Sequence, residues 1–476
     1  MLSLRRFGRI FKAFRASRWF SAGKEEEITS MRIAQIAPLW ELVPPRAYGG
    51  TELVAHLLTE GLVARGHDVT LFAATGSQTS ARLRPYAPKS LREMEDALEK
   101  DKTHCTVMST ELNMLEDIFQ QAEQFDVIHN HMGFQALPFA DFVKTPMVTT
   151  LHNALIPESV HDLFMRNAHL PYVSISDYQQ QLWPSLNYAA TIYHGIDLTS
   201  FDPCFANSDS EYLAFLGRLS PEKGPQHAIH VAKTLGKKLI LAGKIDRVDR
   251  MFYERELADQ IDGTQVSYIG ELAHQAKVEF LRNAAACLFP VSWPEPFGLV
   301  MIEAMACGTP VFALRDGSVP EVIDHGVSGY VADSVEELTE AVRNYRDFDR
   351  RLVRKIAETR FSLQRMIRDH ECVYQRLAGA HTLSLPSTGR KRLSASSGMS
   401  PLPLNSYRLA EVKPAPFIGD SALCGSGDSL WLATGSPYIN AFSPEPLVEG
   451  SKKPVAPPVA PPLPYMERQI NDRLGS

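Results

Sequence analysis

Short apolar runs that end on a glycine-bearing loop and then hand over to a helix recur along this chain. That unit limits the folds open to it. Met31–Pro38, MRIAQIAP, reads as a buried strand; YGGTE at 48–52 follows a loop and opens an amphipathic helix through about Arg65. The stretch 211–224, EYLAFLGRLSPEKG, repeats strand, loop and helix, and LILAG at 239–243 marks another glycine-ended strand. Parallel strands need crossover connections, so this alternation predicts α/β architecture with doubly wound parallel sheets. One Rossmann-like domain is expected over 31–203, with Asp197–Pro203 as the linker. A second is expected over 204–347, followed by helical sequence over 348–377.

The richest stretch is Glu295–Glu303, EPFGLVMIE, in which seven residues separate two carboxylates. An apolar run from Leu299 reads as the start of a buried helix, whose N-terminal N–H groups favour an anion. Gly298 allows a phosphate close to the backbone. Carboxylates beside an anion site suit a ligand that carries both phosphates and hydroxyls, as a nucleotide sugar does.

Two further loops carry the same chemistry. Arg218 and Lys223 lie five residues apart on the GRLSPEKG loop, where a guanidinium fork and an ammonium point charge suit phosphate oxygens. Gly49 and Gly50 precede the first helix and read as an anion cradle at the carboxyl end of the first strand. Each loop alone is weak, since glycine pairs are mostly turns and surface cations are common.

Together these residues resemble the family 4 glycosyltransferases, which have the GT-B fold and a Glu-x7-Glu motif and retain anomeric configuration. The matching pieces are YGGTE at 48–52, FDVIHNH at 125–131, TTLHN at 149–153 and YHGID at 193–197. GRLSPEKG at 217–224, EPFGLVMIEAMACGTPV at 295–311 and GSVPEVIDHGVSGYVAD at 317–333 complete the set. All seven stand in the family's order between about Met31 and Leu377. The implied fold is two Rossmann-like domains facing across a cleft, acceptor side first and nucleotide-sugar donor side second, with the helices over 348–377 crossing back to the first.

The implied activity is that of a retaining hexosyltransferase, moving a sugar from a nucleotide-sugar donor to a hydroxyl acceptor: a glycan, a glycolipid or a small molecule. The resemblance puts Arg218, Lys223, Gly49, Gly50 and the N–H groups of Phe297, Gly298 and Leu299 at the diphosphate. It puts Glu303 at the ribose, and Glu295 and His152 at the donor sugar as the catalytic pair. No Asp-x-Asp signature is expected between residues 31 and 377, so no cofactor and no metal are expected; the cations would neutralise the leaving group. His194 stands where many relatives have Asn. His129 and His131 read as cleft-lining residues, not metal ligands. Two alternatives stay open: a non-catalytic nucleotide-sugar-binding scaffold, and another GT-B enzyme such as an epimerase or a phosphorylase.

Composition fits an ordinary globular protein, at 44% hydrophobic and 22% charged residues, and a net charge of −6 gives no reason to expect nucleic acid. Six scattered cysteines without a Cys-x-x-Cys pair read as reduced thiols, which points to a cytoplasmic setting. No run of about 18 apolar residues exists to span a membrane. Residues 1–30 form a basic amphipathic extension, with Leu4, Phe7, Ile10, Phe11 and Phe14 on one helical face and cations on the other. That pattern suits peripheral contact with an anionic membrane surface. A transit peptide, and translation starting at Met31, are the other readings. Beyond residue 378 the chain holds 14 of its 32 prolines with Ser/Gly clusters, and a disordered tail over 378–476 is expected.

Overall fold

A computed structural model describes residues 29–46, 49–95, 100–153, 158–205 and 212–384. The basic extension over 1–28 and the proline-rich segment from 385 onward, on which two sequence expectations rest, lie outside the described residues.

Among the described residues thirteen strands form two sheets, and every strand pair is parallel. The first sheet holds β1 (Arg32–Ile36), β2 (Asp68–Ala74), β3 (Arg82–Tyr86), β4 (Val127–Asn130), β5 (Met147–Thr150), β6 (Pro171–Ser174) and β7 (Asn187–Thr191). Its order is β3-β2-β1-β4-β5-β6-β7. The second holds β8 (Tyr212–Leu216), β9 (Lys238–Ala242), β10 (Val266–Tyr268), β11 (Ala286–Phe289), β12 (Val311–Leu314) and β13 (Gly329–Ala332). Its order is β10-β9-β8-β11-β12-β13.

Helices cover both faces of such sheets, so central strands read as near-continuous apolar runs. VIHN, ACLF and VFAL are buried at nearly every position, although the first contains a histidine and an asparagine. Strand β3, RLRPY, is the contrast. It lies at the sheet edge, alternates in exposure and tolerates Pro85, since an edge strand has a side with no ladder to complete.

In both sheets the strand order reverses beside the first strand, between β1 and β4 and between β8 and β11. Open parallel sheets bind ligands at the carboxyl ends of the strands flanking such a reversal. The loops after β1, β4, β8 and β11 carry Gly49-Gly50, His131, Arg218-Lys223 and Glu295-Gly298.

The chain leaves the second sheet through the helices Arg350–Arg360 and Leu363–Ser384. The second packs on the Gly50–Ala64 helix and reaches β4. It runs seven residues past the predicted end at 377, because the ECVYQRL stretch gives way to small and polar residues that remain helix-compatible up to Ser384. At the crossing Ile196 N donates to Phe361 O at 3.0 Å, and Leu363 N donates to Ile196 O at 3.0 Å. Gly195 is required there, since a Cβ would strike the Ser362 carbonyl at 2.5 Å. Arg365 clamps the same turn by donating to the carbonyls of Tyr193 and His194, at 2.6 and 3.0 Å.

Candidate active site

Two helix starts meet. The Gly50–Ala64 helix begins at Gly49, the Leu299–Ala306 helix begins at Gly298, and neither start has a side-chain cap. A Cβ placed on Gly50 would sit 3.6 Å from Leu299 Cδ1, so the two starts stand against each other across the molecule. Gly298 has φ 80°, and a Cβ there would meet Met301 Cε at 2.7 Å and Phe289 Cζ at 3.0 Å. Each start carries the positive end of a helix dipole, and together they make one anion-favouring spot.

The carboxylates flank that spot. Glu295 is 5% exposed and Glu303 3% exposed. Lys223 Nζ donates to Glu295 Oε2 at 2.6 Å, and Trp293 Nε1 donates to the same oxygen at 2.8 Å. The Lys223 ammonium also lies 4.7 Å from the centre of the Trp293 ring. Lys277, on the helix His274–Arg282, pairs with Glu303 Oε1. The Glu295 backbone is pinned from behind: its carbonyl accepts from Ser318 N at 2.8 Å, and Gly317 backs onto it too closely for a Cβ.

Arg218 is 6% exposed and pairs with Glu222 and, at 3.5 Å, with Asp249. Burial pushes the Asp249 carboxyl up to about 6 in spite of the guanidinium beside it. Arg218 and Lys223, expected to face a phosphate, are each matched to a carboxylate in this structure. Burial explains the difference, because a buried charge without a partner is strongly disfavoured.

Phe297 also differs from a ligand-contacting residue. Its ring is 1% exposed and packs against His194, Tyr193 and Phe361, with centroids 5.0, 6.0 and 5.9 Å away. The side chain therefore joins the two sheets' cores, and only its backbone is placed for a ligand.

His152, after β5, stands within a row of rings that runs from His129 through His131 and His152 to His194. Its Nε2 is 2.9 Å from His131 Nδ1, and its ring stacks on His194 with centroids 5.5 Å apart. Burial and His370 pull its pKa down to about 3, so it is neutral. His129 and His131 are 0% and 3% exposed, which corrects their reading as cleft-lining residues.

Sequence reasoning missed Trp293, Lys277, Asp249 and Glu321. Glu321 accepts from Asp177 N at 2.8 Å and Tyr178 N at 2.6 Å, so it caps the Asp177–Leu182 helix from the other half of the molecule. Trp293 was findable, as an N–H-bearing ring two residues before Glu295; the other three have no signal in local spacing. The expected absence of an Asp-x-Asp signature over 31–377 needs correction: Asp347 and Asp349 form such a pair, although Asp349 is engaged in capping the Arg350–Arg360 helix. Among the described residues no group of three or more His, Cys, Asp or Glu is arranged for a metal, and no helix is long and apolar enough to cross a membrane. The Cys287 and Cys307 thiols are buried and pushed up to about 12, and neither is a nucleophile.

Two facing Rossmann-like sheets with paired carboxylates at converging helix starts define a sugar-nucleotide enzyme of the GT-B class. The model for glycosyltransferase family 4 matches residues 48–200, and that for group 1 glycosyl transferases matches residues 199–354. The chain belongs to the family 4 glycosyltransferases and is a nucleotide-sugar glycosyltransferase. It is 26% identical to a glycogen synthase of Mycobacterium tuberculosis over 363 residues, covering 67% of this chain and 86% of that protein. Sucrose-phosphate synthase from Thermosynechococcus elongatus superposes with a TM-score of 0.61 at 18% identity, over 73% of this chain and 99% of the other. Anabaena HepE in complex with UDP-glucose superposes with a TM-score of 0.56 at 20% identity, over 74% of this chain and 100% of the other.

Proposed function

We propose that the enzyme transfers a hexosyl group from a nucleoside-diphosphate donor to a hydroxyl acceptor with retention at the anomeric carbon. The contact between the Gly50 and Leu299 helix starts, flanked by Glu295 and Glu303, carries this reading. The UDP-glucose complex of the HepE neighbour supports a diphosphate-linked hexose. The diphosphate lies at the two helix starts, with Lys223 and Arg218 beside it. As the glycosidic bond breaks, negative charge grows on the leaving phosphate, and these fixed N–H groups and cations stabilise it without a metal. Glu303 accepts from the ribose hydroxyls through Oε2, while Lys277 holds its other oxygen. Glu295 offers Oε1 to hydroxyls of the donor sugar, because Lys223 and Trp293 share Oε2.

Retention follows when the acceptor hydroxyl attacks on the face the diphosphate leaves, its proton passing to a leaving-group oxygen. A covalent route needs a carboxylate about 5 Å from its partner across the scissile bond. Here both glutamates already have ammonium partners on the donor side.

Thermal-shift measurements with UDP, GDP and ADP, without added metal, test donor binding. The anomer formed from the best donor, read by NMR at first turnover, tests retention. Stabilisation by none of the three, or an inverted product, rejects the proposal. The basic extension docks the enzyme on anionic lipid at the cytoplasmic face. Loss of vesicle binding at high salt or on removal of residues 1–30 is the expected result.

A further inference from the structure

His152 is the visible end of a longer device. Gln35 sits in the middle of β1, fully buried, and its amide serves two partners. Its Oε1 lies 2.9 Å from His131 Nε2, and its Nε2 donates to Tyr374 OH at 3.1 Å. An amide oxygen only accepts, so His131 carries its proton on Nε2 and its Nδ1 is an acceptor. His152 Nε2, 2.9 Å from that Nδ1, is then the donor.

The other arm is fixed in the same way. Tyr374 OH accepts from Gln35 and so gives its own proton to His129 Nδ1, 2.6 Å away. His129 therefore holds its proton on Nε2 and donates it to Thr150 Oγ1 at 2.7 Å. Five hydrogen bonds thus run in one direction through six residues, from His152 to Thr150. The orientation of the Gln35 amide sets that direction, and reversing it demands that every ring change tautomer together. His152 alone among the six is not fully buried, so only this end opens toward the cleft.

We infer that Gln35, His131 and Tyr374 are positioning residues for His152, locking its ring as the Nε2–H tautomer so that Nδ1 meets the donor sugar only as an acceptor. That the sugar is what Nδ1 meets rests on the function proposed above. The ring is neutral at ordinary pH, with its proton turned inward, so it neither donates a proton to the leaving group nor offers a positive charge. It selects donors that present a hydroxyl to it, and a deoxy analogue would leave the buried ring without a partner. Tyr374 belongs to the Leu363–Ser384 helix, so the orientation of this ring depends on the docking of that last helix on the first sheet.

The test uses the full chain labelled with 15N-histidine, with the His152 resonances assigned by their loss in His152→Gln. Long-range proton–nitrogen correlation should show a proton-bearing Nε2 and a bare Nδ1 in the wild type. Tyr374→Phe cuts the chain at its centre and should convert His152 to a mixture of tautomers. Gln35→Met is read in its place if Tyr374→Phe does not fold. A wild-type proton on Nδ1, or a His152 tautomer unchanged in the folded variant, overturns the relay. Full donor turnover by His152→Ala would instead overturn the placement at the sugar, while the spectra still judge the relay without any substrate.

Discussion

Lys223 Nζ and Glu295 Oε2 are 2.6 Å apart, so the cation proposed for the diphosphate and the carboxylate proposed for the donor sugar form one ion pair. Removing Lys223 strips a phosphate partner and also leaves a 5%-exposed carboxylate without its counter-charge. Lys223→Ala and Glu295→Ala should each cut turnover by roughly 10²-fold, the order of one preorganised electrostatic donor. The double variant should fall well short of the product of the two, with a coupling of about 1–3 kcal/mol. Steady-state kinetics on the four proteins decides it, and independent effects would separate the two residues.

Glu303 and Lys277 make a second buried pair, with side chains 4% and 17% exposed. Lys277→Met should destabilise the fold by about 3–5 kcal/mol, as when one partner of a buried pair is lost. Glu303→Ala should weaken nucleoside-diphosphate binding by about 1–3 kcal/mol through lost ribose hydrogen bonds. Calorimetric titration and urea unfolding read the two effects separately. Unchanged nucleotide affinity in Glu303→Ala would remove it from the ribose.

The two sheets were legible because strand–glycine–helix units write topology into local spacing, and the helix starts at Gly49 and Gly298 were found by that route. Partners brought in by the fold were not. Lys277 comes from a helix 26 residues before Glu303, and Tyr374 lies 339 residues from Gln35. The FDVIHNH motif shows two histidines on one strand face, yet nothing in it says that a tyrosine from the last helix covers them. Burial of Phe297 likewise depends on where Phe361 arrives. Lys223 and Arg218 were seen as charges, but not as charges already matched.

Gly298 has a left-handed φ of 80° at the start of the Leu299–Ala306 helix, and an added methyl would press on Met301 and Phe289. Gly298→Ala should cost about 1–3 kcal/mol in stability from strained backbone. It should also lower diphosphate affinity, since the N–H groups of that helix start shift with it. Unfolding and titration with UDP check both effects. A variant with wild-type affinity for UDP would place the diphosphate elsewhere.

Four buried histidines and the half-buried His152 set the response to acid. His129, His131 and His194 are held well below the usual imidazole range, His152 falls to about 3 and His370 to about 4, burial being the leading cause in each. The unfolded chain protonates these groups as pH drops through about 6.5, whereas the folded chain does not. Their contribution is therefore whole above pH 6.5 and is lost on acidification toward 4. Glu52 and Glu111 act in the opposite sense. Burial raises both to about 7, so the folded chain keeps their protons from pH 7 down to about 4.5 while the unfolded chain does not. Burial likewise holds Asp249 up to about 6, so five protons against three leave a net uptake of about two on unfolding, or about 3 kcal/mol of stability lost per pH unit. Against a total of about 5–15 kcal/mol, that predicts cooperative acid unfolding between roughly pH 6 and 4. Urea midpoints followed from pH 7.5 to 5 measure the slope. His370→Met should reduce it by one proton, about 1.4 kcal/mol per unit. A flat profile over that range would mean that the histidine row titrates as freely in the fold as outside it.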